Sequence, residues 1–224
     1  GMNTGVDDTS NLAWKLAAIH RGWGGPGLIP NYEEERRPIA VRNLAQSYVL
    51  AEIKSSINVP EGLEEDSKEG AAKRKAYGKT FMVDLAEEYK CIGIQLGARY
   101  VGSSIVVSDG RKPPEESPYV FKPSAIPGCR APHTWLSQNH RANGSALFDH
   151  FGKGFTLLQI GNLVTHDLER DARNMGIPLK IIEAPLELVD LLKFPFTLIR
   201  PDQYVCWRGE TLPEKTILQI VTGN

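Results

Sequence analysis

Pro113, Pro114, Pro118, Pro123 and Pro127 crowd one short stretch of the chain, and that stretch limits the possible folds more than any other feature. Each proline fixes its own φ and lacks an N–H, so neither a helix nor an interior strand can run through residues 111–128. The stretch reads as a linker with little regular structure. It divides the 224-residue chain into residues 1–110 and 129–224, which carry different patterns.

Helical spacing dominates the first part. Leu12, Leu16 and Ile19 recur at helical intervals behind a small-residue loop, Gly1-Met2-Asn3-Thr4-Gly5. Asp7 and Asp8 are expected in or near the first turn, where their charge complements the helix dipole. Amides at such a start have no intrahelical partner, and glycines let a ligand approach the backbone, so this end suits negative charge on a bound group. His20 ends the helix at the pole that favours a cation. Gly22-Trp23-Gly24-Gly25-Pro26-Gly27 satisfies Gly-x-Gly-x-x-Gly letter for letter. The dinucleotide fingerprint needs a strand before it and a helix opening within it. Here a helix precedes it and Pro26 and Pro30 lie within and just past it, so it reads as a helix C-cap and turn.

A second helix is expected from Asn31, an N-cap with Glu34 three residues on, to Val59-Pro60, with a kink at Pro38. The apolar members of Val41, Leu44, Ala45, Tyr48 and Glu52 form its inward stripe. Residues 61–76 are strongly charged, and Glu64–Lys68 and Glu69–Lys73 have the order that supports a solvated helix. Phe81, Leu85 and Tyr89 carry a helix toward Cys91. Ile92, Ile94 and Leu96 then alternate, and Ser104 to Val107 is β-rich, which predicts a short β portion over 92–107 before the Asp109-Gly110 turn.

Beyond the linker the order is strand (155–160), helix (163–175), strand (179–183), short helix (186–192), strand (196–200), strand (204–208) and a last helix after Pro213. Alternating β and α elements followed by a hairpin indicate an α/β layer structure compatible with a thioredoxin-like fold. Gly161, Asn162 and Leu163 stand where a thioredoxin carries its two cysteines, so dithiol chemistry is not expected.

Charge and composition exclude several classes. With 26 basic and 27 acidic residues the net charge is −1, which implies no nucleic-acid partner. No apolar run reaches membrane-spanning length and no signal peptide opens the chain, so a cytoplasmic protein is expected and Asn143-Gly144-Ser145 is a chance sequon. Cys91, Cys129 and Cys206 lie far apart, without zinc or Cys-x-x-Cys spacing, and read as buried or half-buried thiols with no metal site. Among His20, His133, His140, His150 and His166, His133 draws most interest. It reads as a packed histidine bonded to backbone rather than an acid–base catalyst. Serine-nucleophile and Walker motifs are absent. No self-contained catalytic constellation is present.

Gly1-Met2-Asn3-Thr4-Gly5, Asp7/Asp8 and Asn11-Leu12-Ala13-Trp14-Lys15-Leu16-Ala17 together resemble the flavin-contacting segment of the single-component FAD-dependent aromatic-ring hydroxylases. That family includes phenol and dichlorophenol monooxygenases. Tyr32-Glu33 and Glu35-Arg36-Arg37-Pro38 resemble its next helix, and Gln95-Leu96-Gly97-Ala98-Arg99-Tyr100 the strand entering its C-terminal region. Residues 127–136, 151–158 and 199–208 resemble three further blocks, in order, so the resemblance covers nearly the whole chain. It implies a thioredoxin-like C-terminal domain, FAD as cofactor, NAD(P)H as electron donor and a phenolic substrate. Gly1, Met2, Asn3 and Thr4 would line the pyrimidine edge of the isoalloxazine ring, where the helix start stabilises charge at N1 and the C2 oxygen. The segment 92–107 would lie behind the substrate region. The family's dinucleotide-binding unit and ribityl-binding Gly-Asp segment do not appear in the sequence, so the chain is expected to be a C-terminal portion that does not turn over alone.

Two further classes compete with that reading. A non-catalytic interaction module would dimerise through its thioredoxin-like half. Helices parted from a flavin domain should expose apolar surface, so a homo-oligomer is expected. A thiol oxidoreductase lacks the cysteines it needs.

Overall fold

The fold, taken from a computed structural model, is described for residues 1–135 and 146–224; His140 and the Asn143 sequon lie outside the described residues. Four helices come first: α1 (Met2–His20), α2 (Leu28–Ser56), α3 (Lys68–Tyr89) and α4 (Ile92–Leu96). Residues 111–128 contain neither helix nor strand. Then follow β1 (Phe155–Gln159), α5 (His166–Asn174), β2 (Leu179–Glu183), a 3-10 turn (Leu186–Leu188) leading into α6 (Val189–Leu192), β3 (Phe196–Ile199), β4 (Val205–Gly209) and α7 (Lys215–Val221).

The C-terminal elements match their expected positions closely. The sheet order is β2-β1-β3-β4, with β1 parallel to β2 and antiparallel to β3, and β4 antiparallel to β3. This βαβ unit followed by a hairpin and a helix is the α/β, thioredoxin-like layout. Strand β1 is buried on both faces. Phe155 and Leu157 face one core with Leu198 and Leu218, and Leu158 faces another with Ile199 and Leu188.

The N-terminal helices pack differently from their apolar pattern. Helix α1 starts at Met2 with Gly1 as N-cap, so Asp7 and Asp8 fall inside it rather than in its first turn. Its buried residues are Asn11, Trp14, Lys15 and Ala18, while Leu16 and Ile19 are exposed. Helix α2 starts at Leu28, so Asn31 is a buried interior residue and not the expected cap. Its inward face is Leu28, Asn31, Glu35, Arg36 and Ile39. Val41, Leu44 and Tyr48, expected to face inward, are more than half exposed at 62%, 56% and 66%. Both helices thus keep helical spacing on their buried faces, but the residues there are largely polar. Charged partners supplied by the rest of the fold decide which face turns inward.

The charged segment forms a helix only from Lys68, where the Ser67 side chain accepts a hydrogen bond from the Gly70 amide. Glu64 lies outside it, and Lys73 and Arg74 instead donate to the carbonyls of Glu61, Leu63 and Glu65. The expected strand at 92–96 is a helical turn. Gln95 N–H bonds to Cys91 O at 3.1 Å and Gly97 N–H to Gly93 O at 2.9 Å. Its buried residue is Gly93, and Gly97 and Ala98 just past its end are buried too, a spacing that an apolar count cannot register. Gly93 lies so close to the proline-rich segment that an added Cβ would stand 1.8 Å from Ser117 O. Residues 104–107 are irregular, although Val107 N–H reaches Cys206 O in β4 at 2.8 Å.

One core spans both parts of the chain. Trp14 and Trp23 stack with ring centroids 6.4 Å apart, and the Phe155 ring of β1 meets each edge-on at 6.1 Å. The Gly22–Gly27 run serves as the helix end and turn. Gly22 has φ +78°, and the Trp23 and Gly24 amides bond to Ala18 O. The turn then locks onto the C-terminus, with Gly25 N–H bonding to Thr222 O at 2.7 Å and Gly27 N–H to Gly223 O at 3.0 Å.

Candidate functional site

The start of α1 is open. Gly1, Met2 and Asn3 are exposed and Thr4 is half-buried. No side chain caps the helix, and a Cβ added at Gly1 or Gly5 would meet nothing within 4 Å. Helix starts leave their first amides without intrahelical partners. Amides at such a helix start suit an anionic edge brought against them. Asp8, one turn on, does not face this end; its carboxylate accepts from Arg36 Nε at 2.7 Å.

Behind this tip lies a buried network of charges. Glu35 Oε2 accepts from Lys15 Nζ at 2.9 Å, Asn11 Nδ2 at 2.7 Å and Arg200 Nη2 at 2.9 Å. Its Oε1 accepts from Ser103 Oγ at 2.6 Å and from Arg200 Nη1. Arg200 Nε donates to Asp202 Oδ1 at 2.9 Å, and Lys15 Nζ also reaches Asn31 Oδ1 at 2.7 Å. The Arg200 guanidinium lies 5.3 Å from the Trp14 ring and 5.1 Å from the Tyr100 ring. Arg36 Nη1 donates to the Tyr100 hydroxyl at 2.9 Å.

Burial by itself would raise the Glu35 pKa, but the Arg200 and Lys15 charges and the Ser103 hydroxyl outweigh it and hold the carboxyl at about 2. Lys15 is pulled down by burial and by the neighbouring Arg200 charge, against the attraction of Glu35. A carboxylate so heavily paired stays ionised at neutral pH and has no proton to exchange. The network is a brace joining α1, α2 and the end of β3, not an acid–base pair. Sequence reasoning missed it. The available signal was polar: Asn11 with Lys15, and Asn31 with Glu35, each stand four residues apart on their helices.

The other candidates separate in space and role. Cys206 is fully buried, with its thiol pushed up by burial, and Cys129 is shifted the same way. Cys91 is buried too, its Sγ accepting from Gln46 Nε2 at 3.7 Å. Gly161, Asn162 and Leu163 form the exposed turn after β1. His133 is exposed, not packed, and stands edge-on to the Trp135 and Phe148 rings at 5.3 Å from each. His20 lies in the last turn of α1 and His166 opens α5. Among the described residues, no group of three or more His, Cys, Asp or Glu is placed to hold a metal ion. No helix among them is long and apolar enough to cross a membrane.

The mixed 2-1-3-4 sheet, joined through a charged brace to a helix with an open start, defines a class when set beside known proteins. Residues 1–47 match the family model of an FAD binding domain, and residues 124–222 match that of the aromatic-ring hydroxylase C-terminal domain. Over these residues the chain is similar to the FAD-dependent aromatic-ring hydroxylases, in what corresponds to their C-terminal portion. It is 31% identical to the FAD-dependent monooxygenase apdD of Emericella nidulans, covering 95% of this chain and 35% of that protein. It is 29% identical to phenol 2-monooxygenase of a Pseudomonas species, covering 100% and 42%. The structure of the rebeccamycin biosynthetic enzyme RebC with reduced flavin superposes with a TM-score of 0.81 at 35% identity, over 100% of this chain and 42% of that one. The chain thus spans about 40% of the length of the relatives it matches.

Proposed function

We propose that the chain acts as the C-terminal portion of a monooxygenase that uses FAD and NAD(P)H to hydroxylate a phenolic ring, and that it does not turn over by itself. The observation that carries this reading is the match of residues 1–47 to an FAD binding domain, with residues 124–222 matching the aromatic-ring hydroxylase C-terminal domain. FAD, when bound, supplies the electron transfer and oxygen chemistry. Gly1, Met2, Asn3 and Thr4 would face the pyrimidine edge of the ring system, their amides favouring negative charge there. The Glu35–Arg200 brace would hold α1 at a fixed angle to the sheet, and Trp14 would wedge it from below. A domain division at 111–128 accompanies this reading, with 1–110 on the flavin side and 129–224 as the thioredoxin-like unit.

Titration of the purified chain with FAD, followed in the visible flavin bands, tests it. The expected result is a perturbed spectrum without consumption of NADPH or phenol. A flavin spectrum unchanged at saturating protein overturns the cofactor contact. A second reading, a non-catalytic oligomerisation module, is favoured by the exposed apolar residues Val41, Leu44 and Tyr48 on α2 and Met82 and Val83 on α3.

A further inference from the structure

The buried arginines of the described fold are paired with carboxylates. Arg36 has Asp8, Arg200 has Glu35 and Asp202, and Arg208 has Asp109. Arg42 and Arg99 differ. Both are half-buried and line one cavity between α2, α4 and the proline-rich segment. Arg42 Nη2 donates to Ile94 O at 2.8 Å, and Arg99 Nη1 to the Pro114 carbonyl. Among the described residues, no carboxylate stands within ion-pairing distance of either guanidinium. Burial and the like charges of Arg36 and Arg99 lower the Arg42 pKa, and Glu116, exposed at the rim, offsets this only in part.

We propose that this cavity binds a small carboxylate, with Arg42 and Arg99 as its cationic jaws. Arg42 Nε and Nη2 also donate to Asn43 Oδ1 at 3.3 and 3.1 Å, which leaves its Nη1 for a ligand, and Arg99 keeps N–H groups beyond its tether to Pro114, so each can donate to a planar carboxylate. The cavity has a volume of about 90 Å³. That is roughly three waters' worth of space, enough for a carboxylate and one or two carbons. Ile94 and Phe121 supply an apolar wall, and Val120 offers exposed apolar surface for any longer chain. Gly93 and Gly97 let backbone form the floor, and a side chain at Gly93 would collide with Ser117 O. The apolar wall at Ile94 and Phe121 suits the carbon end of a short carboxylate and offers no partner to a phosphate's further oxygens, which favours a carboxylate over a phosphate. The site is independent of any flavin contact at α1.

Isothermal titration of the full chain with propionate at low salt, with inorganic phosphate as comparator, tests the assignment. The expected result is saturable one-to-one binding of propionate, tighter than that of phosphate. Arg42→Met and Arg99→Met should each weaken it about tenfold, the worth of one charge-assisted pair. Glu116→Gln, at an exposed position, should strengthen it several-fold and keeps the test decisive if an arginine variant fails to fold. No saturable propionate binding by the folded chain overturns the proposal. So does binding that ignores Arg42, Arg99 and Glu116 alike, or phosphate binding more tightly than propionate.

Discussion

Glu35 gathers four donor side chains on two oxygens at a position with no exposed side-chain surface, and its titration is a consequence of that arrangement. Its pKa falls from an ordinary 4.5 to about 2, so the stability it contributes is complete above 4.5 and lost as pH falls toward 2. A shift of that size corresponds to about 3 kcal/mol. Acid titration of the thermal midpoint should show this loss, and Glu35→Gln should flatten that limb while lowering stability near neutrality by about 3–5 kcal/mol. A variant with an unchanged acid limb would show that the pairing is not what acid breaks. Gly25 presents a different constraint. A Cβ there would stand 2.2 Å from the Gly223 carbonyl oxygen, which is backbone and cannot swing aside. Gly25→Ala should cost about 1–3 kcal/mol through forced backbone shifts, measured by urea unfolding.

Among the elements, α3 is the least anchored. Most of its described side chains are exposed, and its Lys54–Glu88 tie to α2, at 2.6 Å, joins two partly exposed groups. Such surface pairs contribute little, about 0–1 kcal/mol. Its amides should therefore exchange far faster than those of β1. Ser67→Ala, which removes the side-chain cap on Gly70 N–H, should weaken the local helix by about 1 kcal/mol and leave the global melting temperature unchanged. Hydrogen exchange of α3 read beside the thermal midpoint separates the two effects. Helix α4 teaches a related lesson about legibility. Its apolar alternation at Ile92, Ile94 and Leu96 reads as strand, but glycines occupy the face that packs, and glycine leaves no mark in a hydrophobic pattern. The C-terminal strands were readable because their burial is mostly apolar, carried by Phe155, Leu157 and Leu158 in one and by Phe196, Leu198 and Ile199 in the other.

At the scale of the molecule, the Trp14–Trp23–Phe155 cluster makes one core of elements from both sides of the proline-rich segment. Trp23→Ala should cost about 3–5 kcal/mol, and α1 and the sheet should melt in a single transition. Separate transitions in far-UV and tryptophan signals would show that the parts unfold independently. The apolar faces left outside, Leu16 and Ile19 on α1 and Val41, Leu44 and Tyr48 on α2, amount to surface that soluble monomers rarely expose together. The chain should self-associate at micromolar concentration, and Leu44→Glu with Tyr48→Glu should shift it toward monomer in sedimentation equilibrium. A monomer before substitution would argue against the interaction-module reading.

Local pattern alone determined the proline break, the turn at Gly22–Gly27 and the order of β and α elements after residue 150, because each rests on backbone rules or on apolar burial that neighbours in sequence record. Which face of α1 and α2 turns inward was decided only in three dimensions. There Arg200 and Ser103, far away in the chain, give Asn11, Lys15 and Glu35 partners worth burying, and a charge can enter a core only when its counter-charge arrives with it.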